Sequence, residues 1–86
     1  MDYTTAYGVI VEYLSQRFGV PVEKITAASK LFDDLGLDSI DALDMLALLD
    51  NQYHVKVNEE QARRIRTVKD VVEYVLANLP ESPKPT

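Results

Sequence analysis

Apolar side chains at Tyr3, Tyr7, Ile10, Val11, Leu14 and Phe18 recur at the steps that gather them on one face of a helix. Gly19 and Pro21 stop that helix, since glycine accepts a left-handed cap and proline cannot continue the ladder. Gly8 lies inside it and costs about 1 kcal/mol against alanine, a cost that a close approach by another element would explain. Residues 20–38 then form a long connection, which Ile25, Leu31, Phe32, Leu35 and Leu37 are expected to pin to the core. Leu31–Leu35 reads as one helical turn, ended by Gly36.

A second helix is expected over Ser39–Tyr53, with its apolar groups in two arcs. Met45, Leu46, Leu49 and Tyr53 form a broad arc assigned to the core, while Ile40, Leu43 and Ala47 lie on another side. Asp41, Asp44 and Asp50 border the second arc, which favours an exposed contact stripe because unpaired carboxylates are costly to bury. Val55 and Val57 fall in a connection with no partner strand. A short third helix is expected over residues 59–64 with Asn58 as its N-cap. The last helix starts after Thr67, with Asp70 completing a loose capping box, and buries Val68, Val71, Val72, Val75, Leu76 and Leu79. Pro80 ends it, and residues 81–86 read as a disordered tail beyond a single domain over 1–80. Phe32, Leu49, Val57, Ala62, Ile65 and Val71 are the further core candidates. The pattern predicts an all-α chain: an antiparallel four-helix bundle with a short third helix and a long loop after the first.

Composition narrows the chemistry. There is no Cys, so disulfides, thiolate metal sites and a cysteine nucleophile are excluded. The net charge of −5 argues against nucleic acid, and favours a soluble monomer with basic partners. No apolar run approaches the ~20 residues of a membrane span, and no signal peptide opens the chain, so a cytoplasmic protein is expected. The charge is unevenly spread. From Leu31 to Asp50 stand Asp33, Asp34, Asp38, Asp41, Asp44 and Asp50 with no Lys or Arg, whereas Lys56, Arg63, Arg64, Arg66 and Lys69 follow later.

Within the acidic stretch, Gly36-Leu37-Asp38-Ser39-Ile40-Asp41 places one serine at the mouth of the second helix. Taken alone, Ser39 is ordinarily a helix cap, and Asp38 is an equally good one. The helix start also favours a phosphate ester through its unpaired N–H groups, but Asp38 and Asp41 oppose an added anion, so electrostatics does not select between the two. A nucleophilic role needs a base, and the single histidine, His54, lies fifteen residues on. At ~1.5 Å per residue that is some 20 Å along a straight helix. The aspartates step around the helix without a calcium-loop pattern, so a metal site is disfavoured.

The segment resembles the prosthetic-group site of the acyl carrier proteins, with Ile40 where that family has Leu. Leu31-Phe32-Asp33-Asp34-Leu35-Gly36-Leu37 is similar to the family's approach loop. Asn58-Glu59-Glu60-Gln61-Ala62 and Ile65-Arg66-Thr67-Val68-Lys69-Asp70 are similar to its third helix and the start of its last. The resemblance covers roughly residues 3–79. It implies 4′-phosphopantetheine attached to Ser39 by a phosphopantetheinyl transferase, with Asp38 and Ile40 flanking the attachment point. It further implies acyl cargo on the thiol of that arm, and no enzymatic activity in the chain itself. Asp38, Ile40, Asp41, Leu43, Asp44, Ala47 and Asp50 would form the docking face for basic patches on acyl-transferring and chain-elongating enzymes of fatty-acid or polyketide type. In carriers of long acyl chains the bundle interior also opens to shelter the lipid. Ala47 departs from the larger residue often found there, and Arg63, Arg64 and Arg66 depart from an acidic third helix. Two other readings stand beside this one: a carrier of another cargo, specialised lipid or D-alanyl, and an unmodified helical interaction module that uses Ile40, Leu43 and Ala47.

The acidic stretch should repel itself at low ionic strength. Added salt or divalent cations are therefore expected to raise the melting temperature, and a Tm insensitive to both would show that this face carries no electrostatic strain.

Overall fold

The computed structural model describes residues 2–79, in the element order α1 (Tyr3–Phe18), α2 (Ser39–Tyr53), α3 (Glu59–Ala62) and α4 (Val68–Asn78). The tail expected at 81–86 and the stop at Pro80 lie outside the described residues. Asp2 caps α1, its side chain accepting from the Thr5 N–H at 2.8 Å, and that bond holds the Asp2 carboxyl below the usual carboxylate range. Gly19, at φ +72°, closes the helix in the left-handed conformation by donating to the Ser15 carbonyl. Thr67 and Asp70 form the expected capping box on α4.

The core is where these helices meet. α1 contributes Ala6, Ile10 and Leu14, and α4, packed against it, contributes Val68, Val71, Val72 and Val75. α2 adds Met45, Leu46 and Leu49, as its first arc predicts. Each fully buried side chain of this size stabilises the fold by about 1.5–3 kcal/mol relative to exposure. Tyr74 is also buried, and its hydroxyl donates to the Lys56 carbonyl at 3.0 Å while accepting from the Asn58 N–H at 2.6 Å. This tyrosine fixes the segment that enters α3.

The long connection is ordered by backbone bonds to the start of α4. The Ser29 carbonyl accepts from Val68 N–H at 3.0 Å, the Ala27 carbonyl accepts from Lys69 N–H at 2.9 Å, and Leu31 N–H donates to the Arg66 carbonyl at 2.9 Å. Lys30 and Thr67 thereby form an isolated antiparallel bridge. Ile25, Leu31 and Leu37 are buried as anticipated, and the turn over 31–35 is present. A short 3-10 turn at Val22–Lys24 was not foreseen.

Four expectations are corrected. Phe32 and Val57, assigned to the core, are 40% and 49% exposed. Tyr3, on the apolar face of the first helix, is 39% exposed and stacks on Tyr7 at the edge of the core. α3 stops at Ala62 and not at Arg64, because Arg64 N–H and Ile65 N–H turn back onto Gln61 and Ala62 carbonyls in a tighter coil. Finally, no element approaches Gly8: a methyl group there would meet nothing within 4 Å. Gly8→Ala is therefore expected to stabilise the protein by about 0.5–1 kcal/mol in urea unfolding, and a loss of stability would reveal a contact at that position.

Candidate functional site

Gly36 sets the approach to α2. At φ +75° it reverses the chain after the 31–35 turn, and Leu37, buried and bonded to the Leu31 carbonyl at 3.0 Å, fixes the direction of entry. Asp38 is the N-cap. Its side chain accepts from Asp41 N–H at 2.8 Å, and the Asp41 carboxylate accepts from Asp38 N–H at 3.2 Å, a reciprocal capping box. Ser39 is thus the first helical residue and is relieved of capping. Its side chain is exposed, and among the described residues its hydroxyl makes no hydrogen bond. Of the two candidate caps read from the sequence, Asp38 does that work.

The two arcs of α2 separate as expected. Ile40 and Leu43 are 73% and 61% exposed, and Ala47 is exposed beside them. Asp38, Asp44 and Asp50 are exposed and Asp41 is half-buried, so apolar and acidic groups share one outward surface. Asp44 is not independent of the bundle. Arg17, in the last turn of α1, reaches it at 2.9 Å. Both side chains are more than half exposed, which limits such a pair to about 0–1 kcal/mol. Burial, and next the Asp44 carboxylate, push the Tyr13 phenol above its usual range, against the opposing pull of Arg17. Nothing in the sequence pairs Arg17 with Asp44, since they stand 27 residues apart on different helices. His54 caps the far end of α2 in the left-handed conformation, so the structure brings no histidine to Ser39.

Ser39 also lines a cleft of about 400 Å³ between α2 and α3. Leu43, Leu46, Ala62 and Ile65 give it apolar walls. Phe32 and Val57 border it too, which is why these two apolar residues are exposed without being misplaced. Arg63, Arg66 and Glu59 supply its charge. Its volume lies near the lower end of the ~300–1,000 Å³ typical of small-molecule sites. An exposed, unbonded hydroxyl opening beside such a cleft suits a flexible arm attached to Ser39.

The capping arrangement separates the two residues experimentally. Asp38→Ala is expected to cost about 1 kcal/mol in urea unfolding through the lost cap, whereas Ser39→Ala should stay within about 0.5 kcal/mol. A larger loss for Ser39→Ala than for Asp38→Ala would reverse the assignment.

Comparison with known proteins agrees with this geometry. The family model described as the phosphopantetheine attachment site matches residues 8–75. An acyl carrier protein of Syntrophobacter fumaroxidans is 36% identical over 78 residues, spanning 91% of this chain and 96% of that protein. Among solved structures, the acyl carrier protein of Thermotoga maritima superposes with a TM-score of 0.75 at 27% identity, covering 91% of each chain. That of Enterococcus faecalis superposes with a TM-score of 0.76 at 24% identity, covering 91% of this chain and 99% of the other, a likeness of fold. With the attachment-site model spanning most of its length and a relative matched nearly end to end, the chain belongs to the phosphopantetheine-attachment family, among the acyl carrier proteins.

Proposed function

We propose that Ser39 is the residue that bears the phosphopantetheine arm, and that the outward face of α2 is where partner enzymes dock. The observation that carries this is the exposed Ser39 hydroxyl, left without capping duty by the Asp38–Asp41 box and opening beside an apolar cleft. Loading would follow from simple chemistry. The Ser39 oxygen attacks the phosphorus of coenzyme A that bears the pantetheine. A Ser39 O–P bond forms, the diphosphate bridge breaks, the nucleotide leaves with the electron pair, and the serine proton passes to a base on the transferase. The one histidine of the chain, His54, stands at the other end of α2 and does not serve as that base. When attached, the arm supplies a terminal thiol that carries acyl groups as thioesters. The chain's own residues hold and present; the bond-making belongs to the partners, so the chain acts as a carrier in the cytoplasm and not as an enzyme.

For docking, Ile40, Leu43 and Ala47 offer exposed apolar contact area that a partner can desolvate. Asp38, Asp41, Asp44 and Asp50 surround it with negative charge, which steers basic surfaces toward Ser39 and raises the encounter rate. Ile40 adjoins Ser39 and places part of the apolar contact next to the attachment point. The apolar walls of the cleft suit it to shelter a short acyl group, each buried methylene stabilising by about 0.8 kcal/mol.

Incubation with a broad-specificity phosphopantetheinyl transferase and coenzyme A is expected to add one phosphopantetheine to the intact mass of the wild type and none to Ser39→Ala. Leu43→Arg should fold normally, because Leu43 is 61% exposed, yet load about tenfold more slowly in kcat/KM, equivalent to about 1.4 kcal/mol. Equal loading of Ser39→Ala would move the attachment point, and unchanged loading of Leu43→Arg would remove that side chain from the transferase contact.

A further inference from the structure

Arg63 and Arg66 both line the cleft that Ser39 lines, while Arg64 lines a different one against α4, with Asp70 and Glu73. A cluster that reads in the sequence as three equivalent bases is therefore divided by the fold: two line the serine's cleft and one lines the cleft against α4. We propose that Arg63 and Arg66 form an anion subsite that holds the phosphodiester of the arm on Ser39, so that the arm rests along the α2–α3 cleft. This deepens the reading of Ser39 given above and rests on it.

The local charge makes such a subsite consequential. The stretch from Leu31 to Asp50 holds six aspartates and no base. Two of them, Asp38 and Asp41, are locked beside Ser39 by the capping box, so neither can swing away from an added anion. A phosphodiester on Ser39 brings a further negative charge to that place. Across the cleft, Arg63 and Arg66 are the cationic groups that share its lining, against the single carboxylate of Glu59. Among the described residues neither arginine forms an ion pair with Glu59, the ion pair present being Arg17–Asp44.

Arg66 is also pre-positioned. Its Nη1 donates to the Arg63 carbonyl at 2.9 Å and the Ile65 carbonyl at 3.1 Å, which ties the guanidinium to the end of α3. A guanidinium has five N–H donors, so the remaining nitrogens keep donors for another acceptor. The planar fork matches two oxygens of a phosphate better than an ammonium does. Arg63, exposed and three residues away on the same side, supplies a second fork. The phosphodiester is the fitting anion because its ester bond holds it at Ser39, within the same cleft, whatever the cargo. With the phosphate held there, the stem of the arm lies against Phe32, Leu43 and Val57, and a partner enzyme must displace it to reach the thiol.

The test compares apo and loaded protein by backbone amide NMR and phosphorus NMR for wild type, Arg63→Gln, Arg63→Gln/Arg66→Gln and Arg64→Gln. Loading is expected to shift the amide signals of residues 63–66 in wild type and Arg64→Gln, to shift them about threefold less in the double variant, and to move the phosphorus resonance between these two groups. Arg63→Gln keeps the Arg66 bonds that close α3, so a reduced shift there separates lost charge from a loosened helix end. High salt should diminish the wild-type shifts. Loading with no shift at 63–66, or with the same shift in the double variant, would overturn the subsite while leaving Ser39 as the attachment point. Failure to load wild type at all, seen as no gain in intact mass, would overturn both.

Discussion

Two carbonyls of the long connection, those of Ala27 and Ser29, take the first amide protons of α4, and Leu31 returns a bond to Arg66. The rest of the molecule depends on this seam. The leading N–H groups of any helix lack intrahelical partners, so α4 needs acceptors there, and the long loop over residues 19–38 between α1 and α2 needs an anchor. Each supplies what the other lacks. With the seam closed, Leu31 and Leu37 reach the core, the 31–35 turn packs above them, and Gly36 sends the chain into α2 at a fixed point. The position of Ser39 is thus set by α4, although the two are far apart in sequence.

At the start of α2 the division of labour is economical. Asp38 and Asp41 satisfy each other's backbone donors, so the serine between them owes nothing to the fold. The same arrangement puts carboxylates on both sides of the hydroxyl and concentrates negative charge there. In the proposed reading structure and recognition use the same two residues, so an Asp38 substitution would remove the cap and the local charge together. Asp44 is tied to the bundle in a weaker way, through its exposed pair with Arg17.

Much of this was legible in the chain. The helical periodicity of α1, α2 and α4, the caps at Asn58 and Thr67, and the separation of Met45, Leu46 and Leu49 from Ile40, Leu43 and Ala47 follow from local rules that the structure obeys. Phe32 and Val57 escaped because their residue type speaks only of apolarity. Whether an apolar side chain closes a core or borders a cleft depends on how two elements are spaced. The seam escaped because it is made of backbone groups, which carry no residue signature. The partition of Arg63 and Arg66 from Arg64 was hidden for a related reason: it depends on where α3 gives way to a tighter turn, and helix ends are the least determined part of any periodic pattern.

α3 itself has no buried residue. Its one turn is held by the Asn58 cap and by two residues of α4, Tyr74 through the preceding segment and Asn78 through a bond to Gln61. The far wall of the serine's cleft is consequently held by these polar bonds and by the apolar contacts of Ala62 and Ile65, while its near wall, α2, is rooted more deeply in the core through Met45, Leu46 and Leu49. Such a wall can yield at a free-energy cost well below that of global unfolding. The two walls of the cleft thus differ in stiffness: α2 is fixed by the core, and α3 is the side that opens at lower cost.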